Sequence, residues 1–118
     1  MFNLKIFRNL ILIFITGSFL SACGPHPGTG EWLSTTDNED NINKITVFFE
    51  PKVLFYSAGS IDPVMQCGWW GLDNKKLEME CVHLADTDTK VKYQIRVMAK
   101  GEAELLKDNR LITKLIRQ

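Results

Sequence analysis

The chain has little of what enzymes and cofactor proteins draw on. Its 118 residues include 2 histidines and 3 cysteines. It contains no G-x-S-x-G, no glycine-rich phosphate loop followed by lysine and no H-E-x-x-H. A catalytic thiol needs a partner base, and only His26 and His83 could serve. A metal centre needs several ligands at sensible spacing, and only His83 lies near the later cysteines in sequence. Neither a catalytic site, a metal site nor any cofactor is therefore expected, and the chain is not expected to be an enzyme. An excess of one charge is also missing, with 14 Lys+Arg against 14 Asp+Glu. The basic residues are spread without a cluster, which leaves no electrostatic argument for nucleic acid.

What is present is most informative at the N-terminus. Met1 to Arg8 carries Lys5 and Arg8 and no acid, and the chain then runs Asn-Leu-Ile-Leu-Ile-Phe-Ile-Thr-Gly-Ser-Phe-Leu from Asn9 to Leu20. A short basic region followed by a short apolar one is the layout of a secretory signal peptide. The run is too short to span a bilayer comfortably, which takes about 20 residues. Leu20-Ser21-Ala22-Cys23 follows at once. Small residues let the chain enter a peptidase in extended form, and the cysteine offers a thiol for acylation.

These four residues resemble the lipobox of bacterial lipoproteins. The resemblance implies a signal helix over 1–22, cleavage before Cys23 and lipid attachment to Cys23, with membrane lipid as the first partner. Two or three acyl chains hold a protein firmly on a membrane where one would not. In enterobacterial lipoproteins an aspartate after the cysteine favours the inner membrane. Gly24 stands there, so the resemblance implies the cell envelope, with the outer membrane and its periplasmic face favoured. Gly24-Pro25-His26-Pro27-Gly28-Thr29-Gly30 cannot form helix or a central strand. Residues 23–30 therefore read as lipidated cysteine plus flexible spacer, with His26 in solvent. Loss of Lys5 and Arg8 would leave a formal charge of −2.

Residues 31–118 read as a single all-β domain. Val91, Tyr93, Ile95, Val97 and Ala99 alternate with polar residues along Lys90 to Ala99, the pattern of an antiparallel strand with one wet face. In Lys75 to Leu84, Leu77, Met79, Cys81 and His83 point one way and Glu78 and Glu80 the other. Lys44 to Glu50 sets Ile45, Val47 and Phe49 on one face. Val53 to Tyr56, Val64 to Trp70, Glu102 to Leu106, Arg110 to Ile116 and Glu31 to Ser34 complete a set of seven or eight short strands. Turn chemistry marks 57–63, Gly71 to Lys75, Asp86 to Thr89, Lys100-Gly101 and Lys107 to Asn109. Such a meander avoids open edges by closing into a small up-and-down barrel or folding into a sandwich.

Gly30-Glu31-Trp32 resembles the G-x-W opening of lipocalin-like barrels. That resemblance implies that Trp32 lies on the first strand and packs across one barrel end. A chain this short would fill a barrel with side chains rather than hold a sizeable ligand, and a small ligand is left open.

With Cys23 assigned to lipid, Cys67 and Cys81 form an even pair, which in an oxidising compartment reads as a disulfide. They are equidistant from Asn74, so a hairpin centred there sets them opposite each other, with Trp69 opposite Met79. Trp69 and Trp70 must face opposite sides of their strand. One belongs to the core, and Trp70 is the candidate for an exposed binding surface. The expected function is a membrane-tethered interaction module with an envelope protein as possible partner. An inhibitor of a host or phage protein, after the manner of lysozyme-blocking barrel lipoproteins, is the alternative, with loop 57–63 or Trp70 as its contact.

Overall fold

A computed structural model of the chain describes residues 25–118. The signal helix expected over 1–22, and Cys23, lie outside the described residues. The described chain is all-β. Its strands are β1 (Gly30–Ser34), β2 (Ile42–Val47), β3 (Val53–Ser57), β4 (Met65–Gly71), β5 (Lys76–His83), β6 (Asp86–Ala99), β7 (Glu102–Lys107) and β8 (Arg110–Arg117). Each pairs antiparallel with the next, and β8 pairs with β1, so they form a closed barrel. Closure leaves no strand edge to attract another chain.

Alternation decides what fills the interior. Ile45 and Val47, Val53 and Phe55, Met65 and Cys67, Leu77, Met79 and Cys81, and Tyr93 and Ile95 occupy every second position and are buried. Trp32, Ala103, Leu105 and Leu115 complete this core from β1, β7 and β8. Trp32 is fully buried on the first strand.

The turns follow local chemistry. Asp73 folds back so that its carboxylate accepts the Lys75 and Lys76 amides at 2.8 Å each. Asp108 and Asn109 both adopt the left-handed conformation, at φ 52° and 62°. That is the geometry of a two-residue hairpin turn, and Asp and Asn tolerate it better than most side chains.

Three expectations need correction. Phe49 does not join the inner face of β2, because that strand ends at Val47 and Phe49 is 77% exposed. The chain instead turns at Phe48 to Lys52, where Pro51 has no amide to offer a ladder. The Trp69 indole donates to the Phe48 and Glu50 carbonyls, both at 3.0 Å, and occupies that end of the barrel. His83 is exposed rather than buried: it keeps the β4–β5 register opposite Met65 but is the last residue of β5, where the pairing with β6 shifts. Asp86 to Thr89 is the outer start of β6 rather than the turn itself, which is Leu84-Ala85. The turn chemistry is still used there: Asp86 accepts the Thr89 hydroxyl at 2.8 Å and the Asp88 amide at 3.3 Å.

The β4–β5 hairpin has the register that symmetry about Asn74 requires. Cys67 pairs with Cys81 and Trp69 with Met79. The two cysteines form a disulfide with Cα atoms 4.0 Å apart and a sequence separation of 14. Closing a loop of this length removes about 3 kcal/mol of unfolded-chain entropy. Cys67→Ser or Cys81→Ser should therefore lower the Tm by roughly 10–20 °C, with the double variant no worse than either single one. Thiol titration under denaturing, non-reducing conditions should find neither of these two cysteines reactive.

Candidate functional site

The two ends of the barrel hold its polar and exposed features. The turns Phe48 to Lys52, Leu72 to Lys75 and Lys100-Gly101 lie at one end, together with the residues entering β1. The loops 35–41, 58–64, 84–85 and 108–109 lie at the other.

At the first end the segment before β1 is docked. His26 Nδ1 accepts the Gly28 amide at 3.0 Å. Its Nε2 faces the carbonyls of Asp73 at 2.8 Å and Lys76 at 3.1 Å. Two carbonyls require a donor and an amide requires an acceptor, so these contacts select the neutral ring protonated on Nε2. The ring also meets Trp69 edge-on, with centroids 5.9 Å apart. Trp32 Nε1 donates to the Gly28 carbonyl at 2.9 Å. The Arg117 guanidinium lies over the Trp32 ring at 4.3 Å and donates to the carbonyls of Thr29 and Pro27, each at 2.7 Å.

Glycine is needed twice in this segment. A Cβ at Gly28 would come within 2.5 Å of Leu77, and one at Gly30 within 2.5 Å of Arg117. Gly30 also has φ 120°, which L side chains rarely adopt. The spacer expected over 23–30 is therefore packed on the barrel from His26 onwards, and His26 is not in free solvent. Composition hid this because proline and glycine exclude helix and sheet, but not a docked irregular segment whose carbonyls are taken by side chains.

The opposite end is closed by a polar network. Tyr93 is buried and donates its hydroxyl to Asp40 Oδ2 at 2.7 Å. Lys107 reaches the same oxygen at 3.4 Å. Asn38 brackets Ile42 through both its backbone amide and its carbonyl, and Ser34 meets the buried Thr113 hydroxyl at 2.8 Å. These contacts hold loop 35–41 across the barrel. Burial, and then the hydrogen bond and negative charge of Asp40, push the Tyr93 phenol well above its usual value of 10.0. At the first end the Lys75 and Lys76 amides hold the Asp73 carboxyl below its usual 3.8.

The candidate residues are thus distributed as follows. Cys67 and Cys81 are joined inside the barrel. Trp69 lies partly buried beneath the 48–52 turn, while Trp70 faces outward at 43% exposure, beside Glu78. Cys23 lies outside the described residues. His26, Asp40 and Arg117 were not singled out from sequence as contact-forming residues, since each works through partners far away along the chain. Among the described residues no group of three His, Cys, Asp or Glu could hold a metal ion. No protein-family model, curated protein or solved structure matches this chain.

Two outcomes are expected. His26→Ala should cost about 1 kcal/mol and speed amide exchange at Gly28 and Thr29 while leaving β2 to β7 unchanged. Tyr93 has a raised folded-state value, so its contribution is present below pH 10.0 and is lost as pH rises further. The unfolded chain releases the phenolic proton first and is stabilised by doing so. Tyr93→Phe should therefore be less stable at neutral pH yet show a flatter alkaline limb, as read from melting temperatures across pH.

Proposed function

We propose that the chain is the precursor of a bacterial envelope lipoprotein, lipidated at Cys23, whose barrel serves as a small membrane-tethered interaction module. The observation that carries this reading is Leu20-Ser21-Ala22-Cys23, set directly behind a basic start and a short apolar run. Two further features support it. A disulfide between Cys67 and Cys81 suits an oxidising compartment outside the cytoplasm. The interior is taken up by Trp32, Phe55, Tyr93 and their neighbours, all buried. That favours recognition through the outer surface and turns over enclosure of a ligand, in keeping with the resemblance of Gly30-Glu31-Trp32 to small lipocalin-like barrels. Gly24 after the cysteine favours the outer membrane.

Intact-mass analysis of protein extracted from membranes tests the reading. The expected species begins at Cys23 and carries acyl mass, and Cys23→Ala should abolish both the processing and the membrane fractionation. An unacylated mature chain, or a Cys23→Ala protein still sedimenting with membranes, would refute it.

A further inference from the structure

We infer that the barrel end bearing the Phe48–Lys52 and Leu72–Lys75 turns docks directly on the lipid surface, so that the molecule stands on its membrane in one orientation. This inference rests on the lipidation of Cys23 proposed above.

The first support is the length of chain between anchor and barrel. His26 is tied to the carbonyls of Asp73 and Lys76, beside Leu72. Cys23 is three residues earlier in the sequence. Extended chain covers at most about 3.3–3.6 Å per residue, so three residues allow a reach of no more than roughly 10 Å from His26. A spacer running freely from Cys23 to Gly30 would allow the barrel to tumble above the bilayer. The docked segment does not.

The second support is what this end displays. Phe49 is 77% exposed, Met98 53%, Leu72 47%, Ile116 45% and Trp70 43%. All five lie at or near the end where the N-terminal segment enters, on turns or on the last residues of their strands; the opposite end exposes Ile61, Leu84 and Leu111, none of them aromatic. Aromatic and aliphatic side chains of this kind favour the membrane interface.

The third support is charge. The turns at this end carry Lys52, Lys75 and Lys100 against Glu50 and Asp73, whereas the opposite loops carry Asp37, Glu39, Asp40, Asp62 and Asp108, of which Lys107 and Arg110 at the flanking strand ends neutralise only Asp40 and Glu39. An anionic leaflet attracts the first end and repels the second. The apolar contacts need not be strong. Tethering by a short linker gives an effective concentration in the millimolar range, so a weak surface interaction is populated.

Hydrogen exchange on the membrane-extracted protein, reconstituted in vesicles of phosphatidylethanolamine and phosphatidylglycerol, tests this. The comparison is with Phe49→Ser/Trp70→Gln/Leu72→Ser, which alters exposed positions only. In the wild type, residues 48–52 and 72–75 should exchange roughly tenfold more slowly than in the variant, with 58–63 and 84–85 the same in both. Equal exchange at 48–52 and 72–75 would overturn the proposal, as would protection of the opposite loops. Protection without vesicles that grows with protein concentration would assign the patch to a second copy, and protection that needs an added envelope protein would assign it to that partner. Either would also overturn it. The intact mass of the same sample keeps the two readings apart. Acyl mass without vesicle protection rejects docking alone, and protection without acyl mass rejects lipidation alone.

Discussion

The structure depends on the closure of the seam between its first and last strands. β1 has five residues and pairs on both sides, with β2 and with β8. If it left, β2 and β8 would each become an open edge and the core would be exposed through the gap. Trp32 carries most of the burden, being fully buried between Ile45 and Arg117 in the pairing. Arg117, near the end of the chain, covers the Trp32 ring and holds the carbonyls of Thr29 and Pro27. The two ends of the barrel sequence are thus joined by backbone pairing, by an apolar ring and by a cation donating to otherwise free carbonyls.

In the ring of eight strands the hairpin of β4 and β5 stands diametrically opposite that seam. It carries the covalent bond. The segment from His26 to Gly30 links the two sides, because it leaves β1 and ends with the His26 ring on the Asp73 and Lys76 carbonyls. A barrel mouth is where ladder pairing stops and carbonyls are left over. Here indole, imidazole and guanidinium donors take them up, which is how an irregular stretch rich in proline and glycine comes to be ordered.

Much of this was legible in the sequence, for a physical reason. Alternation along β5 and β6 is a local property with a period of two, and a closed barrel with a dry interior enforces it strictly. The cysteine pairing was legible because both residues belong to one hairpin, whose turn residues fix the register. Phe49 and His83 followed the same alternation and were misjudged, because pattern alone does not say where a strand ends. Pro51 and the Trp69 indole stop β2, and β5 keeps its register with β4 as far as His83 but reaches the end of the barrel there. The docking of His26, the Arg117 cover and the Tyr93–Asp40–Lys107 network join residues separated by 47, 88 and 53 positions or more. No window along the chain contains both partners.

A filled barrel limits where function can lie. Large side chains occupy the interior, so under the proposed function recognition would fall to the outer wall and to the turns. The turns at the two ends are held by different means. The 35–41 loop is fastened by the Asp40 carboxylate to Tyr93 and Lys107 and by the Asn38 amide to the Ile42 backbone, whereas the 48–52 turn is fastened through its carbonyls to Trp69. The second arrangement leaves the side chains of Phe49 and Glu50 free to face outward while their backbone is fixed. A rigid backbone that presents an unfastened aromatic loses little conformational entropy when that side chain is buried against a partner. On the proposed reading this makes the end that receives the N-terminal segment the better suited of the two to contact.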